Sequence, residues 1–126
     1  MSGLDITPLI PQGRQLIQGY GDGGFRVAGI VHTGSIFILP DQTLAWPVTS
    51  ADAVAVDLMP AADIDGTDIL LVGCGDRFVA PPPTLRADLK ALGVVLEWMD
   101  TGAACRTFNV LLAEDRRAAA ALIAVS

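Results

Sequence analysis

Residues 99–117, MDTGAACRTFNVLLAEDRR, decide the fold of this chain. They follow the strand-like run VVLEW at residues 94–98, so the apolar pattern changes from a period of two to a period of 3.6 residues. Asp100 or Thr101 can cap the first turn, because either side-chain oxygen can accept a hydrogen bond from the free backbone N–H groups there. The apolar residues that follow recur at helical spacing and predict a helix that ends near Asp115.

Cys105 and Asn109 lie four residues apart in that helix, so they share one face in its N-terminal half. A thiol and a carboxamide beside a helix start, immediately after a strand end, form a candidate site. A thiol and a carboxamide alone do not indicate a particular reaction.

The composition predicts one globular domain. A chain of 126 residues can bury a core without the help of a metal or a disulfide. Its hydrophobic content of 52% against 17% charged residues is high for a soluble domain of this size. Either some strands are buried on both faces, or part of the surface is covered by a partner.

The charge of the chain argues against nucleic acid and anionic lipid as direct partners. The net charge is −6 with only eight basic residues, and no cluster of them could replace the counterions of a phosphate backbone. No run approaches the roughly 20 apolar residues of a membrane helix, and the N-terminus lacks the pattern of a signal peptide. We therefore expect a cytoplasmic protein with two free thiols, associated with a membrane at most peripherally, through a partner.

The N-terminal half reads as an extended arm, residues 1–13, followed by an antiparallel β meander over residues 14–48. Glycine-rich or proline-containing turns are expected at residues 21–24, 32–35 and 40–41. Between them the sequence predicts four strands: Gln15 to Tyr20, Phe25 to Val31, Ile36 to Leu39, and Thr43 to Val48.

The C-terminal half, residues 68–126, predicts a β-α-β-α-β order. The apolar run 69–72, a helix at 84–92 after three prolines, and the strand 94–98 form a βαβ unit, whose strands should be parallel. The tail 118–125 suits a last buried strand, although its alanines favour a helix by propensity. We interpret it as a strand, so the fold class is α/β, a single domain with a β meander followed by this βαβ half.

Several residues of this half carry a resemblance to a known family. They are Leu71 to Gly75, Arg77, Leu85, Gly93, Val94, Asp100 to Asn109, Glu114, Arg116, Ala120, Leu122 and Ile123. The chain resembles a family of small proteins of unassigned function in bacteria and archaea, whose mitochondrial members are known as respiratory complex I (NADH–ubiquinone oxidoreductase) assembly factor three. The resemblance implies a three-layer α/β fold with a mixed sheet and an added β layer, and it supports a strand in the tail. Many members have Thr where Cys74 stands, so a family-wide catalytic thiol is not expected there.

The candidate site lies where the strands 69–72 and 94–98 end, because open α/β sheets bind ligands at the carboxyl ends of their parallel strands. Polar groups converging there could hold a carboxylate or a phosphate. The candidate binding residues are Gly73, Cys74, Gly75, Arg77, Asp100, Thr101, Gly102, Cys105, Arg106, Thr107 and Asn109.

Each part of this candidate site also has a structural interpretation. Gly73 and Gly75 lack the third glycine of a dinucleotide fingerprint, so they suit a tight turn without a ligand. In this interpretation, Asp100 caps the helix without binding a ligand, and Asn109 satisfies the hydrogen-bonding groups of a loop backbone. Cys105 could form a redox pair with Cys74, with its pKa lowered by the helix start. The alternative, which we favour, is a small buried hydrophobe.

Catalytic machinery and cofactors are not expected. His32 is the only histidine and falls in a predicted turn, so the sequence offers neither a catalytic triad nor a zinc-ligand set. Trp46 and Trp98 are predicted to lie in the core. We therefore expect no catalytic residues, no metal and no cofactor.

The residues and the resemblance together favour a non-enzymatic interaction protein. By resemblance, its partners would be respiratory complex subunits or assembly proteins, bound through an apolar patch on the sheet or through the edge at Pro81-Pro82-Pro83. The alternative is a small-molecule or anion-binding protein, including an enzyme, with its site at the carboxyl ends of the strands 69–72 and 94–98.

Overall fold

The computed structural model describes residues 14–60, 64 and 66–126. The predicted arm 1–13 lies outside the described residues. The strands are β1 (Ile17–Gly21), β2 (Gly24–Val27), β3 (Ile30–Thr33), β4 (Ile36–Leu39), β5 (Gln42–Ala45), β6 (Ile69–Gly73), β7 (Val95–Met99) and β8 (Ala118–Leu122). The helices that we label are α1 (Leu85–Ala91) and α2 (Thr101–Ala113), with two short 3-10 helices, η1 (Ala51–Ala53) and η2 (Val56–Leu58).

The central element is a mixed five-stranded sheet with the order β5-β4-β8-β6-β7. Strand β6 pairs in parallel with both β7 and β8, whereas β4 is antiparallel to β8 and to β5. All five residues of β8 are buried, and four of them are alanines, so elements on both faces of the sheet can approach this strand closely. The strand interpretation of the tail is confirmed, because burial between β4 and β6 outweighs the helical propensity of alanine.

The predicted meander is divided between two sheets. Strands β1, β2 and β3 form a separate antiparallel sheet, whereas β4 and β5 belong to the five-stranded sheet. The predicted single strand from Phe25 to Val31 is wrong: the chain turns at Ala28 and Gly29, whose φ angles are 50° and 82°. Positive φ at both positions makes a tight hairpin turn, and alanine rarely adopts it, so the turn was not visible in the sequence.

The predicted turn over residues 32–35 is also wrong in its first half. His32 and Thr33 are the last residues of β3, opposite Phe25 and Gly24 of β2. The chain turns at Gly34, where φ is 85°, and then enters β4 in the other sheet. The change of sheet at this glycine is what divides the meander.

The two faces of the five-stranded sheet support two separate cores, because successive side chains of a strand point to opposite sides. On one face, Leu70 and Val72 of β6 pack with α1, η1 and the segment around Trp46. On the other, Leu71 packs with α2 and with the inner face of the three-stranded sheet. This arrangement is the expected three-layer α/β fold with an added β layer, and both tryptophans lie in the core as predicted.

Candidate functional site

Helix α2 begins at the carboxyl end of β7, and Asp100 caps it. The Asp100 carboxylate accepts a hydrogen bond from the Ala103 N–H at 2.9 Å, and the Asp100 backbone carbonyl accepts one from the Ala104 N–H at 3.0 Å. The backbone of Asp100 is extended, which is the conformation of an N-cap residue. The predicted cap is therefore confirmed.

Thr101 joins three parts of the fold. Its side chain is fully buried, and its hydroxyl donates to the Ile123 carbonyl at 2.8 Å, just after β8. The same oxygen accepts from the Gly75 N–H at 3.0 Å, and the Thr101 N–H donates to the Gly75 carbonyl at 2.9 Å. The start of α2, the loop after β6 and the end of β8 are thus held together at this one residue.

Gly73 and Gly102 give this junction the space that it needs. A Cβ atom on Gly73 would lie 2.8 Å from Thr101 Cα, so only glycine lets β6 end directly against α2. A Cβ on Gly102 would lie 2.6 Å from the Tyr20 hydroxyl, which reaches across from β1 to the first turn of the helix. Both glycines therefore serve close packing.

The backbone donors expected at an anion site are used inside the protein. The Cys74 N–H donates to the Met99 carbonyl at 2.8 Å, and the N–H groups of Gly75, Thr101 and Ala103 are engaged as described above. These four N–H groups are therefore satisfied without a ligand.

Asn109 holds the three-stranded sheet onto α2. Its carboxamide oxygen accepts from the Ile17 N–H at 2.9 Å, and its nitrogen donates to the Ile17 carbonyl at 2.8 Å. Strand β1 is an edge strand, with Ile17 opposite Val27 of β2, so the amide of Asn109 takes the place of a strand partner on the open edge of β1. This is the backbone-satisfying role that the sequence analysis raised as the alternative to a binding role.

The structure does not bring the two thiols together. Cys74 belongs to the core on the α1 face of the sheet, and Cys105 belongs to the core on the α2 face. Burial raises the pKa of the Cys105 thiol to about 12, and the charge of Arg106 offsets only part of that increase. A lowered pKa at the helix start, expected for a reactive thiol, is not what this environment produces.

Three of the predicted residues line a shallow cleft between α2 and β1. Cys105, Arg106 and Asn109 meet the strand segment 17–20 there, around a volume of about 200 Å³. The other candidates lie elsewhere: Arg77 is exposed on the loop after β6, and the Thr107 hydroxyl donates to the Met99 sulfur at 3.5 Å. The predicted edge therefore separates into an internal junction and scattered surface positions.

The sequence analysis missed an ordered apolar projection on the loop after β6. Phe78 and Val79 are 63% and 49% exposed. The Cys74 sulfur accepts from the Val79 N–H and donates to the Arg77 carbonyl, both at 3.4 Å, and the Trp98 indole N–H donates to the Val79 carbonyl at 2.6 Å. The available signal was an apolar pair that belongs to no periodic segment and is followed by Pro81-Pro82-Pro83.

None of the helices within the described ranges combines the length and apolar character that crossing a membrane requires.

The architecture is shared with bacterial proteins of solved structure. The crystal structure of an outer membrane protein from Bartonella henselae has a TM-score of 0.82 and 40% identity, covering 94% of this chain and all of that one. The solution structure of a Bordetella pertussis protein described as an Mth938-like domain has a TM-score of 0.76 and 29% identity, covering 97% of this chain and 92% of that one.

The chain belongs to the family described as protein of unknown function (DUF498/DUF598), which matches residues 17–123. An uncharacterized protein of Rhodobacter capsulatus is 42% identical over 85% of this chain and 82% of its own length. The Drosophila melanogaster protein named NADH dehydrogenase (ubiquinone) 1 alpha subcomplex assembly factor 3 is 36% identical over 86% of this chain, which spans 58% of that protein. The human protein of that name is 31% identical, and the chain spans 59% of it.

Proposed function

We propose that this protein is a non-enzymatic interaction protein that assists the assembly of respiratory complex I. Its relatives in animals carry the name of an assembly factor for that enzyme, and this chain spans somewhat more than half of their length. The observation that carries the proposal is the exposed pair Phe78 and Val79 on a loop that the core holds in place.

The loop of residues 75–83 has the properties of a protein-binding surface. An exposed phenylalanine offers a large apolar contact area, and such residues are frequent anchors of interfaces. Because Cys74 and Trp98 already fix the loop, binding does not incur the usual entropy cost of ordering it. The surface coincides with the Pro81-Pro82-Pro83 edge that the sequence analysis named as one of two candidate docking regions.

The polar residues at the strand ends support the alternative, a small-molecule or anion site, less well than the exposed loop supports a protein interface. The hydroxyl of Thr101 and the amides of Gly75 and Ala103 are engaged in internal hydrogen bonds. The Cys105 thiol stays protonated near neutral pH, because burial raises its pKa to about 12. These groups stabilise the junction of β6, β8 and α2, so the interaction function is assigned to the exposed loop instead.

The proposed role also includes peripheral association with a membrane through the partner. A protein that assists a membrane complex can reach it by binding a subunit or another assembly protein. In this proposal, Phe78 provides the contact with that protein, and the lipid itself is not the ligand.

The test is affinity capture from the native organism, with detergent-solubilised membranes included and mass spectrometry of the retained proteins. The wild-type chain is compared with Phe78→Ser, and the matched control is Val110→Ser, which changes a residue 57% exposed on α2. We expect complex I subunits or their assembly proteins with the wild type and with Val110→Ser, and their loss with Phe78→Ser. Equal retention by both variants would reject the loop as the interface. Absence of such proteins from all three samples would reject the assembly role.

A further inference from the structure

A second surface lies between η2 and α1, away from the α2 junction. An open groove of about 480 Å³ is lined on one side by Ala55, Val56 and Asp57, and on the other by Asp88, Ala91 and Leu92. Asp88 and Ala91 lie three residues apart on one face of α1, and Leu92, at the C-cap of the helix, lies four residues after Asp88. Val56 is half-buried against the core, whereas Leu92 is 51% exposed, so the floor of the groove is apolar and accessible.

The groove carries two carboxylates without compensating cations. Asp57 stands on one wall and Asp88 on the other, and both are exposed. In the part of the chain that the structure describes, the ion pairs are made by other acidic residues, and neither carboxylate forms a hydrogen bond. Among the described residues that line the groove, none is a lysine or an arginine. Its charge therefore favours a cationic occupant.

We propose that this groove is a docking site for a basic, amphipathic segment of a partner protein. An apolar side chain of the segment packs on Val56 and Leu92, and flanking Lys or Arg residues reach Asp57 and Asp88. The apolar floor provides the contact area, and the carboxylates select the charge and register of the segment.

The same charges disfavour the other occupants. An anionic small molecule would be repelled by both walls of the groove. A second copy of this chain carries a net charge of −6, and three of its arginines, Arg14, Arg116 and Arg117, already face carboxylates of their own chain. The charge balance thus points to a different, basic partner.

The proposal can be tested with two synthetic helical peptides that carry the same leucine stripe. One peptide has lysines on both sides of the stripe, and the other has glutamates. Each is titrated into the methyl-labelled full chain, and the NMR shifts of the Val56 and Leu92 methyl groups are followed at low and at high salt. We expect the lysine peptide to shift these methyl groups, with weaker binding at high salt, and the glutamate peptide to leave them unchanged.

Three variants complete the experiment. The double variant Asp57→Asn with Asp88→Asn should weaken binding of the lysine peptide about tenfold, as expected for the loss of two exposed charge pairs. The matched control Asp41→Asn, in the turn between β4 and β5, should bind like the wild type. Phe78→Ser should also bind normally, which separates this groove from the loop of residues 75–83.

Four results would overturn the proposal. They are equal shifts with the glutamate peptide, shifts confined to residues outside the groove, no shifts at all, and concentration-dependent self-association that broadens the groove methyl groups without any peptide. The last result would assign the groove to a second copy of the chain.

Discussion

At the scale of single residues, Cys105 shows how burial decides chemistry. The thiol lies on the inner face of α2, 3% exposed, among residues of the core shared with the three-stranded sheet. Removal from water disfavours the thiolate, and this cost exceeds the attraction of nearby Arg106. The residue therefore behaves as a small apolar group whose ionisation is coupled to unfolding.

This coupling predicts a pH dependence of stability. The thiol has an ordinary pKa of 9.0 and a folded-state pKa of about 12. The native state therefore retains the proton that the unfolded chain releases in this interval. The contribution of this thiol to the free energy of unfolding is fully present below about pH 9. It is lost as the pH rises toward 12, by about 1.4 kcal/mol per pH unit. Urea unfolding at several pH values between about 8 and 10.5 should show this decline in the wild type.

Cys105→Ala provides the comparison for that measurement. The variant lacks the ionising group, so its stability should fall less steeply above about pH 9, although the smaller side chain lowers its stability at every pH. An identical slope in both proteins would show that the thiol ionises equally easily in the folded and unfolded chains.

At the scale of elements, the contact of α2 with β1 depends on one carboxamide. Asn109 satisfies both the N–H and the carbonyl of Ile17, as a neighbouring strand would. The three-stranded sheet shares no strand with the five-stranded one. Packing on α2, these two hydrogen bonds and the hydrogen bond from the Gly23 N–H to the Val125 carbonyl help to hold it in position. A change at Asn109 should therefore affect one layer of the molecule selectively.

Asn109→Asp tests this selectivity. A carboxylate can still accept from the Ile17 N–H, but it places a second oxygen against the Ile17 carbonyl and cannot donate to it. We expect hydrogen-exchange protection of the β1 and β2 amides to fall by about ten- to a hundredfold, consistent with a cost of about 1–3 kcal/mol. Amides of β6 and β8 should keep their protection, and so should all strands in the control Val110→Ala. A uniform loss across both sheets would contradict an element-specific role.

At the scale of the whole molecule, the last strand of the chain occupies the middle of the main sheet. Strand β8 lies between β4 and β6, and its alternating residues contribute to both cores. Ile123, which follows it, accepts the hydrogen bond from Thr101. The N-terminal and C-terminal halves are thus joined through residues that lie close to the C-terminus of the sequence.

We accordingly predict that a chain ending at Arg117 does not fold. Without β8, the β4–β5 hairpin loses its antiparallel partner strand, and β6 loses the parallel neighbour on that side. The truncated chain should show poor amide dispersion by NMR and no cooperative unfolding transition. Removal of the exposed Ser126 alone serves as the control and should leave both properties unchanged. A cooperative transition in the chain ending at Arg117 would refute the prediction.

Local chemistry by itself determined the elements of the C-terminal half. The period change at Asp100, the apolar run before Gly73 and the prolines before α1 predict β6, α1, β7 and α2 close to their observed bounds. The Asp100 cap was predictable as well, because a helix start after a strand needs a hydrogen-bond acceptor. The same reasoning placed both tryptophans in the core. Trp98 lies in β7, whereas Trp46 follows β5, which ends at Ala45 and does not continue to Val48 as predicted.

Only the tertiary structure decided which residues meet. The division of the meander places the three-stranded sheet against α2, and neither this packing nor the positive φ at Ala28 is encoded by local propensity. The sequence predicted Gly75, Thr101 and Asn109 at one ligand-binding edge of the sheet. In the structure, their hydrogen bonds link the loop after β6, the end of β8 and β1 to α2. Whether a polar group is free for a ligand depends on its partners across the fold, and these lie far away along the chain.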